Sequence, residues 1–304
     1  MRESLFGKLF KKVDSLDDEK FSFLISSPAL LFFLVLGLFP IIYSLGFSFM
    51  KYRLNMVSGW KFIGLTNYIA MFHDPIFLSS LVKTAYYTVV TVGLSTGLGL
   101  IVALILKQSF IGKRVFLLVM LIPWAIPKVV NGLMWKWIYD GNYGILNAIL
   151  LKLGIIHQYQ WWFVNSPLVA MTLVIVADVW KNVPFAALLI LAALQGVPLS
   201  LYEAAKCDGA NIWQQFRHIT LVSIRYTLMM VLILQTMWSF KAFDLIYTLT
   251  RGGPGNNTTI TYFYVYQQAF DYLNLGYGSA LAYFVTLVII LFSVFYFKML
   301  GRED

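Results

Sequence analysis

Apolar residues in this chain do not alternate or recur as thin stripes; they run in long blocks broken by short polar intervals. A helix that crosses a bilayer needs about 20 mostly apolar residues, within a range of about 17–25. Six stretches meet that length, at residues 24–50, 83–106, 115–138, 167–195, 222–243 and 278–299. The pattern therefore predicts an all-α polytopic membrane protein of about six transmembrane helices. The first block exceeds the about 7–15 apolar residues of a cleaved signal and lacks a small-residue cleavage site, so it is expected to remain as an anchor. Pro40, Pro123, Pro127 and Pro184, with Gly93, Gly97 and Gly99, fall inside spans, where membrane bundles tolerate them better than soluble helices do.

Composition agrees. Of 304 residues, 60% are hydrophobic and only 12% charged, with a mean hydropathy of +0.75. Soluble domains run nearer about 25% charged, so this chain has too little polar surface to coat a water-soluble globule. Disorder is excluded for the same reason. The net charge of +9 reads as an orientation signal rather than as a nucleic-acid footprint. With the N-terminus inside, thirteen Lys and Arg, among them Arg2, Lys8, Lys107, Arg114, Arg217 and Lys298, fall on the cytoplasmic side. Eight fall in the longer outer loops, and Lys128 and Lys181 lie within spans. Both termini are thus expected in the cytoplasm. That divides the chain into an N-terminal segment 1–23, a first helix 24–50, an external loop 51–82, a five-helix core 83–299 with a cytoplasmic loop 196–221, and a tail 300–304. The single Cys207 excludes an intramolecular disulfide framework and a cysteine-based metal site. The three histidines, His73, His157 and His218, are too dispersed for a metal site.

The loop 196–221 reads as two short helices with a hinge. Pro198 stops the preceding helix, and Ser200 with Glu203 forms an S-x-x-E capping box that starts a new one at Leu201. Asp208-Gly209 ends it, since glycine supplies the left-handed backbone of a sharp exit. Asn211, with Gln214 three residues on, caps the second helix, and Ile212, Phe216 and Ile219 fall near one of its faces. Small residues Ala204 and Ala205 permit close approach by a partner. A docking role and a purely local capping role are equally open on this pattern.

The run Tyr202-Glu-Ala-Ala-Lys-Cys-Asp-Gly-Ala210, continuing to Phe216-Arg-His-Ile-Thr-Leu221, closely resembles the EAA motif of permease subunits in binding-protein-dependent ABC importers. Further segments resemble the carbohydrate branch of that family, in its order: Phe62-Ile-Gly-Leu-Thr-Asn-Tyr68, Asp178-Val-Trp-Lys-Asn-Val-Pro-Phe185, Gly252-Gly-Pro254 with Thr258-Thr259, and Tyr266-Gln-Gln-Ala-Phe270. The resemblance implies the type I ABC importer permease fold, sited as a multi-pass protein in the cell (inner) membrane. It also implies a sister permease, two ATPase subunits below and an external solute-binding protein that delivers a sugar or related solute. Glu203, Ala204, Ala205, Asp208 and Gly209 would then couple the spans to the ATPase, with Glu203 meeting a basic group there. Val222 and Ser223 stand where the family often has a proline.

No G-x-x-x-x-G-K-[ST] phosphate cradle occurs, and Gly112-Lys113-Arg114 lacks its upstream glycine and its hydroxyl residue. The chain is thus expected to bind no cofactor itself, with ATP and Mg used by the partner ATPases. No nucleophile–base constellation stands out, so it is not expected to be an enzyme. For the solute pathway, ionisable groups inside spans usually face a cavity or each other. Asp178 and Lys181 lie three apart on one helical face, beside Asn182. Gln235, Ser239, Lys241 and Asp244 lie among Trp238, Phe240 and Phe243. The family's contact segments carry over to Asp178, Lys181, Asn182, Phe185, Gln235, Trp238, Ser239 and Ala242. The competing reading makes Asp178–Lys181 and Lys241–Asp244 self-neutralising pairs, which is the expectation for Lys241 and Asp244. Two other classes compete with the permease: an ion-coupled secondary carrier and a membrane-embedded enzyme acting on a lipid-linked substrate. The first wants a repeat symmetry and the second an acidic or His/Asp cluster at one face, and the sequence has neither.

Overall fold

The computed structural model describes residues 17–55 and 59–300, and these are mostly helical. Four helices are long and apolar enough to cross a membrane, and six spans result if each of two bent helix pairs counts as one. The segments 1–16, 56–58 and 301–304, with the expectations that fall on them, lie outside the described residues.

Helix α1, Glu19–Ser48, is apolar yet exposed all round over its most hydrophobic stretch. Pro40 has no amide to donate to Leu36, and the helix widens into a π-turn over Phe33–Leu38 just before it. Only its far part, Phe39–Ser48, packs on the last span, where Ser44 Oγ and Tyr283 OH are 3.0 Å apart. A short ribbon follows, β1 (Met50–Lys51) antiparallel to β2 (Lys61–Phe62), and then a helical turn at Thr66–Met71.

Helix α2, Pro75–Lys107, begins eight residues before the apolar block at 83 because Asp74 caps it. The Asp74 Oδ1 accepts from the amides of Ile76 (2.9 Å) and Phe77 (3.2 Å), and Pro75 sits at the first helical position, where its missing N–H costs nothing. Its buried stripe is made of small and hydroxylated residues, Ser80, Thr84, Thr88, Thr91, Ser95, Gly99 and Ala103. Such residues let two membrane helices approach closely. The neighbour is the helix Pro167–Gln195; a Cβ on Gly99 would come within 2.6 Å of the Ala186 Cβ.

The pattern predicts one helix over 115–138, but the structure has two, α3 (Lys113–Ala125) and α4 (Lys128–Ile138), bent by 97°. The cause is local. A residue before proline is pushed out of the α region, and Ile126 before Pro127 is extended, with φ −70° and ψ 131°. After the turn α4 packs on the short helix Asp244–Leu249, and a Cβ on Gly132 would come within 1.8 Å of Thr248 Oγ1.

Helix α5, Pro167–Gln195, is the most buried span and the axis of the bundle. Its two halves serve two cores, one with Tyr87, Ile246, Ile260 and Phe263, the other with Leu106, Ile224 and Val231. The loop that follows holds α6 (Leu199–Cys207) and α7 (Ile212–Ser223), and α7 is bent by 67° from α8 (Arg225–Phe240). The chain closes with α9 (Asp244–Leu249), α10 (Thr261–Tyr266) and α11 (Leu275–Leu300). At the end of the bundle far from α6, Asp74 Oδ2 accepts from Tyr264 OH (2.6 Å) and Tyr277 OH (2.8 Å), fastening α2, α10 and α11 to one carboxylate. Burial raises the Asp74 pKa, but these bonds and the two capping amides outweigh it and hold the carboxyl below its usual range.

Candidate functional site

The break between α3 and α4 opens a cleft of about 360 Å³ lined by Trp124, Ala125, Ile126, Pro127, Lys128, Lys181, Asn182 and Trp238. Breaking the helix frees backbone carbonyls that no following turn can satisfy. Lys181, projecting from α5, takes them up: its Nζ donates to the carbonyl oxygens of Trp124 (3.0 Å), Pro123 (3.4 Å) and Ile126. The ammonium thus fills the place of the missing turn and pins α3 to α5. Phe185, one turn along α5, lies between two indoles, with ring centroids 4.7 Å from Trp238 and 5.9 Å from Trp124.

Of the eight pathway residues expected from sequence, Lys181, Asn182 and Trp238 line this cleft, and Phe185 backs its aromatic wall. The other four sit in helix packing. Asp178 is buried and accepts from Tyr87 OH at 2.6 Å. Gln235 accepts from Ser95 Oγ on α2, and its Nε2 has no partner among the described residues. Ser239 is buried, and Ala242 belongs to the core around Tyr87 and Ile246. The self-neutralising pairs do not form among the described residues. Asp178 and Lys181 each turn to another helix, and Lys241 is exposed. Tyr87, Trp124, Lys128 and Asn131 are not among the eight expected residues. Asn131 is fully buried and donates to the Ala177 carbonyl at 3.2 Å, bracing α4 against α5. The available signal for Lys128 and Asn131 was a polar residue inside an apolar block.

At the other end of the bundle, α6 and α7 form the hinged pair. The capping box at Ser200 and Glu203 is not there. Helix α6 starts at Leu199, with Pro198 as N-cap and no side-chain cap bond. Pro198 already has the extended backbone of a cap, which puts Glu203 at the fifth helical position, out of reach of the first amides. Glu203 is therefore exposed, and its carboxylate has no partner among the described residues. Ala204 is exposed beside it and Ala205 half-buried. The exit is a Schellman motif: Ala210 N donates to Ala205 O (2.8 Å) and Gly209 N to Lys206 O (3.0 Å). Gly209 carries φ +79°, and Asp208 is the C-cap. The second cap is a full capping box, with Gln214 N donating to Asn211 Oδ1 (2.9 Å) and Asn211 N to Gln214 Oε1 (2.8 Å). Leu199, Leu201, Ile212 and Trp213 are all exposed on this hairpin, Ile212 to 86%. Tyr202 turns inward, 2.9 Å from Thr220 Oγ1 on α7, and Ile219 of α7 packs with it against the core of Leu106 and Ile224.

Residues 95–302 match the family described as binding-protein-dependent transport system inner membrane component. The chain is similar to the trehalose/maltose transport system permease protein MalF of Thermococcus litoralis, at 36% identity over 94% of this chain and 95% of that one. It is likewise 36% identical to the sulfoquinovosyl glycerol transport system permease protein SmoG of Agrobacterium fabrum, over 95% of this chain and 93% of the relative. The inner membrane ABC transporter permease protein YcjO of Escherichia coli is 35% identical over 91% of this chain and 92% of its own. Among solved structures, a bacterial ABC transporter involved in the import of the acidic polysaccharide alginate shares the fold. The TM-score is 0.80 over 98% of this chain and 99% of that one, at 19% identity.

Proposed function

The chain belongs to the family of binding-protein-dependent transport system inner membrane components, and on that footing we propose that it builds, with a sister permease, the membrane pathway of an ATP-driven importer for a sugar or related solute. It is a permease subunit and not an enzyme. Two ATPase subunits dock beneath it, and an external binding protein delivers the solute. Both termini and the hairpin 196–221 face the cytoplasm, and the Asp74 end faces outward. The relatives whose names mention trehalose, maltose and sulfoquinovosyl glycerol support the solute class.

One observation carries the coupling role. Helix α6 presents Glu203, with no partner of its own, beside exposed Ala204 and a rim of Leu199, Leu201, Ile212 and Trp213. Exposed large apolar residues on one short hairpin, beside a charge without a partner, suit a protein-binding surface. Glu203, Ala204, Ala205, Asp208 and Gly209 form this coupling element, and the Schellman exit at Gly209 fixes its angle to α7. Closure of the ATPases on nucleotide pushes α6, and the push passes through α7 and α2 to the spans. Lys181, Asn182, Phe185 and Trp238 line or back the solute's route, while Asp178, Gln235, Ser239 and Ala242 hold the helices that form it.

Cys207 is exposed on α6 and is the chain's single cysteine, so the wild-type protein carries its own probe. A crosslinker on Cys207, applied to membranes co-expressing the ATPase subunit, is expected to capture that subunit, with nucleotide altering the yield. Capture of no ATPase, or labelling of Cys207 only from outside intact cells, overturns the assignment.

A further inference from the structure

We infer that the cleft at the α3–α4 break selects a saccharide carrying one negative charge, a carboxylate, sulfonate or phosphate ester, held by the Lys128 ammonium. The inference rests on the permease reading and names the solute class at its site.

The depth of the cleft comes first. Helix α3 has 13 residues from Lys113 to Ala125, so the break lies about 20 Å along it, inside a hydrocarbon layer about 30 Å thick. An ammonium there needs a partner or a water-filled cavity. Lys181 has its partners. All three of its N–H groups are engaged by the carbonyls of Pro123, Trp124 and Ile126, so it lends charge to the cleft but no free donor. Asp178 lies close enough to feel both Lys128 and Lys181, but it is buried and already bonded to Tyr87 OH. Two ammonium groups against one carboxylate leave a local surplus of one positive charge.

Of the two ammonium groups, Lys128 is the one whose donors are uncommitted. It lines the cleft, is half-buried, and has neither a hydrogen-bond acceptor nor an ion-pair partner among the described residues. Lys128 therefore brings three N–H groups without an acceptor among the described residues to the lining of a cavity of about 360 Å³, in the range of small-molecule sites. The rest of the wall suits a sugar ring: the indoles of Trp124 and Trp238 offer apolar faces, and Asn182, whose amide also interacts with Asp178, its remaining polar capacity. A neutral sugar would satisfy the amide and the indoles and leave the ammonium unpaired. A monoanionic one satisfies all three.

Glucuronate and glucose share a ring and differ in charge, which makes them the probes. The assembled transporter, with both permeases and both ATPases in lipid nanodiscs, is titrated with each by calorimetry, and ATP-dependent uptake of each is followed in proteoliposomes supplied with the external binding protein. Glucuronate is expected to bind at least about tenfold more tightly than glucose. Lys128→Gln should abolish that preference and Lys128→Arg preserve it. Equal affinities in the wild type, no binding of glucuronate, or a preference that survives Lys128→Gln overturns the inference. Uptake that ignores ATP sinks the permease reading, while the calorimetric comparison still decides the charge preference; ATP-driven uptake of both sugars alike sinks the charge preference alone.

Discussion

Lys107, at the last turn of α2, grips Tyr202 of α6 twice: its Nζ donates to the phenol oxygen at 3.0 Å and lies 4.2 Å from the ring centroid. With Thr220 on the other side of the same hydroxyl, Tyr202 joins α2, α6 and α7. Tyr202 thereby ties the hinged pair to the bundle, alongside Ile219 and Thr220 of α7.

Replacing that connection should uncouple the ends of the protein without unfolding it. Tyr202→Phe removes two hydrogen bonds, each worth about 0.5–1.5 kcal/mol, and keeps the ring over Lys107. Tyr202→Ala removes both kinds of contact. The expected order of solute-stimulated ATP hydrolysis is wild type, then Tyr202→Phe, then Tyr202→Ala, with all three proteins still folded at the assay temperature. An unaltered stimulation in Tyr202→Ala would show that force travels by another route.

Gly99 should tolerate no side chain, because its Cβ would meet the Ala186 Cβ at 2.6 Å and the Ala187 amide nitrogen at 3.1 Å. Overpacking of this kind costs about 1–3 kcal/mol. Gly93 lies two turns away on the same helix with nothing within 4 Å of its added Cβ. Gly99→Leu is expected to reduce the yield of monodisperse protein from detergent sharply, and Gly93→Leu to leave it intact. Equal yields would mean that α2 and α5 are not packed this closely.

Lys181→Met keeps an unbranched side chain one atom shorter and strips the carbonyls at the break of their donor. Charge-assisted hydrogen bonds contribute about 1.5–3 kcal/mol each, offset by the relief of a buried charge. A net loss of about 1–3 kcal/mol follows, read as a lower unfolding temperature. Faster thiol labelling of Ala125→Cys in the Lys181→Met background, with Cys207 replaced in both proteins, would locate the loosening at the break. Unchanged labelling would place the role of Lys181 elsewhere.

Asp74 gives the far end an acid limit. Its folded pKa lies below the ordinary 3.8, so its contribution is complete above that value and is lost as pH falls through the lower folded one. The thermal midpoint of the wild type should fall as pH drops below about 4. Asp74→Asn should start lower at neutral pH and show a flatter acid response. A steeper response in Asp74→Asn would contradict the bonding to Tyr264 and Tyr277.

Much of the architecture could be read directly from residue order, since spans are set by length and hydropathy. The hairpin was legible too, because Pro198, Gly209 and the Asn211–Gln214 box act within a few residues. Two local readings failed instructively. Pro198 carries a cap's backbone conformation, so α6 starts before the hydroxyl of Ser200 can serve. Pro127 was visible, yet apolar blocks on both sides concealed that it turns the chain by 97°. What sequence could not supply was partner choice across long separations. Asp178 meets Tyr87 from 91 positions away, and Lys181 reaches carbonyls more than 50 positions back. Charge spacing of three on a helix suggested a pair, but each side chain found a stronger claim on a neighbouring helix.

The turn from Trp124 to Lys128 supplies five consecutive wall residues of the cleft, and it is tied to α5 through backbone carbonyls rather than its own side chains, the other fastenings lying at Asp74, Gly99 and Tyr202. A change of cargo therefore requires the exchange of one short cassette and leaves the chassis untouched. Grafting those five positions between related importers is the shortest path to retargeting one.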